Sequence, residues 1–465
     1  MLSKKVQLKG ENTMSDLLSI KEADKLYVLH SWTKQGPFNP KVLAKAEGVY
    51  FWDEEDNRYM DMSSQLVYVN VGHQHPTLLK AFREIGTFPL AGPSFATKPK
   101  SDLSQKIIEL APSNMAKVFY TSGGAEANDH AVKIARMFSG RYKIFSRYRS
   151  YHGATFGAGN LTGESRRFPA EPGLPGFIKF EVPYLYREVI DFDSEEAATN
   201  YYLAKLRNQI LYEGSESIAA IFMEPIPGSN GVLIPPKGYL EGVRALCDEF
   251  GILLICDEVM TGFGRTGKAF AIDHYDFKPD IITFAKGVTS GYAPLGGVIV
   301  SEEISRYFDD NVFMTGLTYS GHTMCTQIGV ANLEVYEEEN IFEHVEKVAP
   351  LLKQRLEKLL AYESVGEVRS IGLFAGVELV KDKETKEPII QYGLDYGKDP
   401  VGLMGKFVSM LSANGFYTYS HESTVIIAPP LIITEEQINE AMDIFESTLA
   451  AFEKEVLFAA QSLSV

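Results

Sequence analysis

A lysine and an aspartate stand at the ends of two apolar segments, where they could do chemistry together. Lys286 follows the segment 281–285 and opens a glycine-rich turn, and Asp257 follows the segment 252–256. A lysine at the end of a buried strand is costly unless it is paired or used chemically. Because open α/β folds build their sites at the carboxyl ends of their strands, we expect both side chains in one site.

A third feature is a turn suited to binding phosphate. The apolar segment 118–120 leads into the turn, and residues 129–136 follow it with apolar positions at helical spacing. A strand, a glycine-rich turn and a helix point free backbone N–H groups and the positive end of the helix dipole at an anion. An ordinary turn between a strand and a helix is the plainer interpretation. The candidate phosphate-binding residues are Ser122, Gly123, Gly124 and Ala125.

Two further residues could enclose a planar ring. Tyr151 could lie flat on one face, and Val259 could close the other, since Asp257 and Val259 are two apart on an extended segment and point the same way. Taken singly, Lys286 would be a solvated turn residue and Asp257 a helix cap or metal ligand. Together, an amine that condenses with an aldehyde and a carboxylate that pairs with a pyridinium nitrogen indicate pyridoxal 5'-phosphate chemistry, without a metal.

The order of the motifs resembles that of the class III (ω-) aminotransferases, from about Trp32 to the final helix. The motifs are SGGAEAN at 122–128, YHG at 151–153, EP at 224–225, DEV at 257–259, FAKG at 284–287 and TYSGH at 318–322. This resemblance implies the α/β fold type I of pyridoxal-phosphate-dependent transferases, with a mainly parallel sheet in a large domain and a smaller α+β domain.

The resemblance also implies roles for individual residues. Lys286 would hold the cofactor covalently and shuttle a proton, and Asp257 would keep the ring nitrogen protonated. Tyr151 and Val259 would enclose the ring, while His152 and Glu224 would lie close to it. Many relatives carry a serine where this chain has Ala125, so backbone N–H groups and Ser122 would bind more of the phosphate. Thr318 would reach the phosphate of a neighbouring subunit, which implies a homodimer or a higher homo-oligomer.

The chain is expected to divide into three parts. Residues 1–75 would join the small domain, residues 76–330 would form the large cofactor-binding domain, and residues 331–465 would form the small C-terminal domain. Strands are predicted near Val118, Ile144, 218–223, Leu253, Ile281 and 297–300. Further along we predict a charged helix from Ala331 to about Tyr362, a strand at 372–379, and a last helix with a capping box of Thr434 and Gln437.

Composition excludes several classes of partner. The chain has 465 residues and a net charge of −16, which argues against nucleic acid and acidic lipid. Its three cysteines form no spaced set, and no apolar run is long enough to cross a membrane. Residues 1–10 lack the apolar core of a signal peptide, so residues 1–13 are a tail or a leader, with Met14 as the alternative initiator. We expect a cytoplasmic protein.

The substrate must be inferred from charged residues. Relatives that bind 2-oxoglutarate through an arginine switch often carry Glu where this chain has Ser229, and many carry an arginine shortly before the motif at 428–430, where residues 417–422 contain none. Two arginines in a loop, Arg166 first and Arg167 second, could bind a carboxylate or sulfonate, although such pairs are often surface charges. Trp32 and Tyr68 are the candidate pocket walls.

Overall similarity favours the taurine aminotransferase subgroup, which transfers an amino group from taurine to a 2-oxo acid, 2-oxoglutarate or pyruvate. The donor could also be β-alanine or 4-aminobutyrate, because each presents an amine and an anion at similar reach. From another reaction class, a racemase, an aminomutase or a decarboxylase would use the same cofactor.

Overall fold

The computed structural model describes residues 19–87, 89–390 and 402–457. The predicted tail or leader at residues 1–13 and the alternative initiator Met14 lie outside these ranges. The strands are β1 (Leu43–Glu47), β2 (Tyr50–Asp53), β3 (Arg58–Asp61), β4 (Met115–Thr121), β5 (Lys143–Arg147), β6 (Phe177–Phe180), β7 (Ile218–Met223), β8 (Leu253–Asp257), β9 (Ile281–Phe284), β10 (Gly296–Ser301), β11 (Val365–Ile371), β12 (Phe374–Asp382), β13 (Glu387–Pro388), β14 (Phe416–Tyr417), β15 (Tyr419–His421) and β16 (Thr424–Ile427).

Helices alternate with these strands along the middle of the chain. They are α1 (Ile20–Tyr27), α2 (Ser64–Val67), α3 (Pro76–Glu84), α4 (Lys98–Leu110), α5 (Gly124–Ser139), α6 (Phe156–Leu161), α7 (Glu195–Glu213), α8 (Tyr239–Phe250), α9 (Glu302–Asp310), α10 (Thr323–Glu338), α11 (Ile341–Lys358), α12 (Leu403–Ala413) and α13 (Glu435–Phe452). None of the helices in the described ranges is both long enough and apolar enough to span a bilayer.

The largest sheet has seven strands in the order β4-β10-β9-β8-β7-β5-β6. Strands β5 to β9 run parallel, whereas β10 runs antiparallel to both of its neighbours, β4 and β9. Every residue of β7, β9 and β10 is buried. A strand covered on both faces is mainly apolar, which is why these segments are rich in apolar residues in the sequence. The predicted mainly parallel α/β sheet is confirmed.

Two smaller sheets lie outside this one. The first has the order β1-β2-β3-β14, and its parallel pair aligns Met60 with Phe416. The chain near its start and the chain near its end therefore share one sheet. The second has the order β11-β12-β16-β15, with β13 paired to β12. The division of the chain at residues 75 and 330 remains a prediction.

Two predicted elements need correction, and one strand was missed. The helix expected from Ala331 to Tyr362 is two helices, α10 and α11, because Asn340 adopts a left-handed φ of 50° between them. The strand expected at 372–379 is β12, which begins at Phe374. Gly372 instead forms the turn before it at φ 56°. Strand β6 was not predicted, since its lysine interrupts a short segment of half-buried residues. The capping box of Thr434 and Gln437 is confirmed.

Candidate active site

A cavity of about 930 Å³ opens at the carboxyl ends of β7, β8 and β9. The three strands end beside Glu224, Asp257 and Lys286, and all three side chains reach the cavity. Most of the residues predicted for the site line it. They are Trp32, Tyr68, Ser122, Gly123, Gly124, Ala125, Tyr151, His152, Arg166, Glu224, Asp257, Val259 and Lys286.

Lys286 presents a free amine to this cavity. Its backbone has a left-handed φ of 48°, and its Nζ has no hydrogen bond or ion pair within the described ranges. Burial lowers the pKa of Lys286 to about 8, with the nearby cations Arg166 and Arg265 acting in the same direction and the carboxylates of Asp257 and Glu224 opposing them. Roughly a tenth of the amine is therefore unprotonated at pH 7, far more than for an ordinary lysine, and this fraction can act as a nucleophile.

Asp257 is held in place on both carboxylate oxygens. Its Oδ2 accepts hydrogen bonds from His152 Nδ1 at 2.7 Å and from Asn128 Nδ2 at 2.8 Å, and its Oδ1 accepts one from the Val259 N–H at 2.9 Å. The side chain is 3% exposed. The site thus contains a buried carboxylate of fixed orientation that can pair with a cationic ring nitrogen.

Glu224 organises the backbone around the cavity. Its Oε1 accepts the Tyr151 N–H and its Oε2 accepts the Gly228 N–H, each at 3.0 Å. Burial raises the pKa of Glu224. Because both of its oxygens bind backbone amides, this side chain fixes the segment that carries Tyr151.

The start of α5 is built to receive an anion. Gly124 is its first residue, and no side chain caps the helix, so the N–H groups of Gly124 and Ala125 have no intrahelical acceptor. A Cβ added at Gly124 would lie 2.8 Å from Val259 Cγ1, so the helix approaches Val259 closely. The Ser122 N–H donates to Glu126 Oε2 at 2.9 Å and is thus not free; the Ser122 side chain lines the cavity.

These parts fit pyridoxal 5'-phosphate. An unpartnered amine, an oriented carboxylate and an uncapped helix start share one cavity, matching the aldehyde, the ring nitrogen and the phosphate of that cofactor. No cluster of metal-ligating side chains occurs in the ranges that the structure describes.

Arg166 is fixed at the cavity wall, whereas Arg167 is not in the site. Arg166 donates from Nε to Glu164 and from an Nη to Ser229 Oγ at 3.0 Å, and its guanidinium lies 3.9 Å from the centre of the Tyr151 ring. Arg167 pairs instead with Glu171 at 2.9 Å. Arg167, the second choice for the anion-binding residue, does not line the cavity.

The two predicted aromatic walls, Trp32 and Tyr68, line the cavity, whereas Thr318 does not. The Trp32 ring lies edge-on to Tyr151 with centroids 6.5 Å apart, and Tyr68 lines the cavity next to Gly291. Thr318 is exposed and does not line the cavity.

Several site residues were missed in the sequence. Asn128 lies inside the motif 122–128, but nothing in the motif shows that its amide bonds Asp257. The sequence showed only that position 229 lacks a glutamate and that the segment containing His421 lacks an arginine. In the structure Ser229 accepts a hydrogen bond from Arg166, and His421 lines the cavity. Glu164 stands two residues before Arg166, a spacing that could have suggested their pairing.

The family model for aminotransferase class-III matches residues 33–449. The chain is 45% identical to the solved structure of a taurine:2-oxoglutarate aminotransferase from Bifidobacterium kashiwanohense in complex with PLP and glutamate, with a TM-score of 0.91, covering 96% of this chain and 100% of that one.

Two curated relatives act on other donors, by their names. The chain is 35% identical to a putrescine–pyruvate aminotransferase of Pseudomonas aeruginosa, over 88% of this chain and 90% of that one. It is 33% identical to a probable mitochondrial gamma-aminobutyrate transaminase 3 of Oryza sativa subsp. indica, over 90% of this chain and 84% of that one.

Proposed function

The chain belongs to the class III aminotransferases, which use pyridoxal 5'-phosphate, and from this membership we propose that it transfers the amino group of taurine to a 2-oxo acid. The observation that carries the choice of donor is Arg166, a cation fixed at the wall of the cavity that holds Lys286. Taurine has an amine at one end and a sulfonate at the other, so one molecule can place its amine beside Lys286 and its sulfonate beside Arg166.

Each part of the cofactor would meet a different element. Lys286 would hold the cofactor covalently, Asp257 would keep its ring nitrogen protonated, and the N–H groups at the start of α5 would bind its phosphate, with Tyr151 and Val259 on the ring faces and His152 behind Asp257. When bound, the cofactor supplies an aldehyde for the amino group and a ring that accepts electrons. The Lys286 amine lies in the same cavity and is suited to move a proton at the donor carbon.

The contacts of Arg166 support its role as an anion receptor. Glu164 holds Nε and Ser229 holds one Nη, so the guanidinium keeps a fixed direction while N–H groups remain for a ligand. Charge-assisted hydrogen bonds from a guanidinium fork suit carboxylates and sulfonates. Trp32 and Tyr68 would form the apolar walls between the two ends of the donor.

Arg166 disfavours one of the other candidate donors and is compatible with two more. Putrescine would bring a second ammonium into a cavity with Arg166 at its wall, which like-charge repulsion disfavours. β-Alanine and 4-aminobutyrate carry a carboxylate and remain the second candidates, supported by the relative named as a gamma-aminobutyrate transaminase.

Substituting Arg166 tests the proposal. A charge-assisted hydrogen bond contributes about 1.5–3 kcal/mol, so Arg166→Leu should lower kcat/KM about 10- to 100-fold for taurine and β-alanine. A neutral alkylamine should be affected far less. Arg167→Leu is the matched control, since it removes an equal charge from the adjacent residue outside the cavity.

The measurement is the cofactor absorbance after one amino donor is added without an acceptor. Taurine should convert the enzyme stoichiometrically to its amino form in the wild type. No conversion with taurine would refute the choice of donor, and an equal loss for neutral and anionic donors in Arg166→Leu would refute the role of Arg166. Adding 2-oxoglutarate or pyruvate to the amino form then identifies the acceptor.

We also propose that the enzyme is a homodimer or a higher homo-oligomer in which Thr318 reaches the partner's cofactor phosphate. The exposed position of Thr318, away from the cavity of its own chain, supports this arrangement. A cytoplasmic location is proposed as well, supported by three cysteines that form no disulfide.

A further inference from the structure

Strand β15 lies on the wall of the cavity, and all three of its residues, Tyr419, Ser420 and His421, line it. Tyr419 and His421 are two residues apart on this strand, which pairs with β16, and both line the cavity together with Arg166. Side chains two apart on a strand point to the same side. The strand therefore presents a phenol and an imidazole to the space in which a substrate must bind.

The imidazole of His421 has an unused hydrogen-bonding atom. Its Nε2 is buried and has no hydrogen-bond partner within the part of the chain that the structure describes. A buried polar atom without a partner is destabilising, so most such atoms are satisfied in folded proteins. A ligand that bonds Nε2 would remove this cost, and the cavity is where such a ligand would come from.

His421 is also close enough to Arg166 to respond to its charge. Burial lowers the pKa of His421 to about 3, and the Arg166 and Arg149 guanidiniums contribute to this shift. The imidazole is therefore uncharged near neutral pH, and one of its nitrogens carries a proton that it can donate. Because the charge of Arg166 acts on His421, an anion bound at Arg166 would also lie within range of the imidazole.

The shape of the anion decides what a second donor can do. A carboxylate is planar and offers two oxygens, both of which a guanidinium fork can bind. A sulfonate is tetrahedral and offers three, so one oxygen remains beyond the fork. Glu164 and Ser229 keep Arg166 from turning to follow that oxygen.

We propose that His421 donates a hydrogen bond from Nε2 to the third oxygen of a sulfonate bound at Arg166, and that this bond makes the pocket prefer sulfonates to carboxylates. The inference rests on the proposed function, because it assigns a second residue to the same donor. His421 would then be a specificity-determining residue. It would let the pocket distinguish taurine from β-alanine, which has the same chain length but carries a carboxylate.

The test compares three variants of the holoenzyme. His421→Leu removes the donor, His421→Gln keeps an N–H near the position of Nε2, and Tyr419→Phe removes a hydroxyl from the same face of the same strand. In His421→Leu the ratio of kcat/KM for taurine to kcat/KM for β-alanine should fall about tenfold or more, through a higher KM for taurine. His421→Gln should restore most of the ratio, and Tyr419→Phe should leave it unchanged.

A binding measurement separates this inference from the proposed function. Ethanesulfonate and propanoate match taurine and β-alanine but lack the amine, and calorimetry gives the affinity of the holoenzyme for each without turnover. The wild type should bind ethanesulfonate more tightly, and His421→Leu should lose this preference. If taurine is no donor but this preference exists and is lost in His421→Leu, the donor assignment fails and the role of His421 stands.

Three outcomes would overturn the inference. The first is an unchanged ratio of the two affinities in His421→Leu. The second is a loss of preference in Tyr419→Phe but not in His421→Leu. The third is an equal loss of activity with a neutral alkylamine in His421→Leu, which would mean that His421 only supports the fold.

Discussion

At the scale of residues, hydrogen bonds fix the carboxylates and the arginine of the site, whereas the amine of Lys286 is free to react. Asp257 accepts three hydrogen bonds and Glu224 accepts two, whereas the amine of Lys286 has no partner in the described ranges. Arg166 is held by Glu164 and by Ser229. Fixed groups can orient a ligand without reorganising, and the free amine remains available for covalent chemistry.

The lowered pKa of Lys286 makes a prediction about pH. With a pKa of about 8, the unprotonated amine increases as pH rises through about 8, far below the usual range of a lysine. Protein freed of its cofactor should therefore capture pyridoxal 5'-phosphate at a rate that rises with pH and levels off above about 8. Borohydride trapping and peptide mass mapping measure the adduct at each pH.

Arg166→Leu provides the control for this prediction. Because the guanidinium of Arg166 lowers the pKa of Lys286, its removal should move the midpoint of capture to higher pH. A midpoint near the ordinary value for lysine in the wild type, or an adduct on another lysine, would contradict the assignment.

At the scale of elements, α5 joins the phosphate turn to the rest of the site. Its first residue faces Val259, and its Asn128 bonds Asp257, so one helix positions both ends of the proposed cofactor. A shift of this helix would disturb the phosphate and the ring together.

Gly124→Ala tests this coupling. The added Cβ would lie 2.8 Å from Val259 Cγ1, so either the helix or Val259 must move. We expect cofactor dissociation to become at least about tenfold faster, in line with the roughly 1–3 kcal/mol of an overpacked contact. Gly405→Ala in α12 is the matched control, since a Cβ there meets nothing within 4 Å. Equal cofactor retention in the two variants, measured by absorbance during dialysis, would show that the close approach is unimportant.

The strands of the large sheet show which elements could be predicted from the sequence. Strands β7, β9 and β10 were predicted because a strand covered on both faces is mainly apolar, and Lys286 was assigned to a candidate site because it follows such a strand. The break at Asn340 depends on one residue in a left-handed conformation, which many sequences tolerate without a signal.

The rest of the site depends on long-range contacts. Ser229 and Arg166 are bonded although they lie 63 positions apart, and His421 reaches the same cavity from β15. Neither contact leaves a local pattern in the sequence, because it exists only after the sheets have packed. Single-sequence reasoning therefore reached the reactive groups but missed most of those that orient them.

At the scale of the whole molecule, the proposed contribution of Thr318 can be tested by mixing subunits. Thr318→Val should weaken cofactor binding, and Lys286→Ala should abolish turnover. If Thr318 serves the partner's site, a dimer formed from one subunit of each variant contains one site with both native residues. Coexpression should then restore tight cofactor binding and turnover to part of the population.

Two results would contradict this prediction. Light scattering could give the mass of one chain for the active, cofactor-loaded protein, or coexpressed variants could show no recovery although mixed dimers are present. Lys286→Ala coexpressed with wild type is the control for subunit mixing.

The antiparallel strand β10 has a consequence for the order in which the chain can fold. β4, which leads into the phosphate turn, pairs with β10, and β4 ends at Thr121 whereas β10 begins at Gly296. During synthesis at about 5–20 residues per second, β4 must wait on the order of 10 to 35 s for that partner. The parallel strands β5 to β9 are made in the interval and can begin to pair. The phosphate turn is thus translated early but receives its place in the sheet late, after β10 has been made.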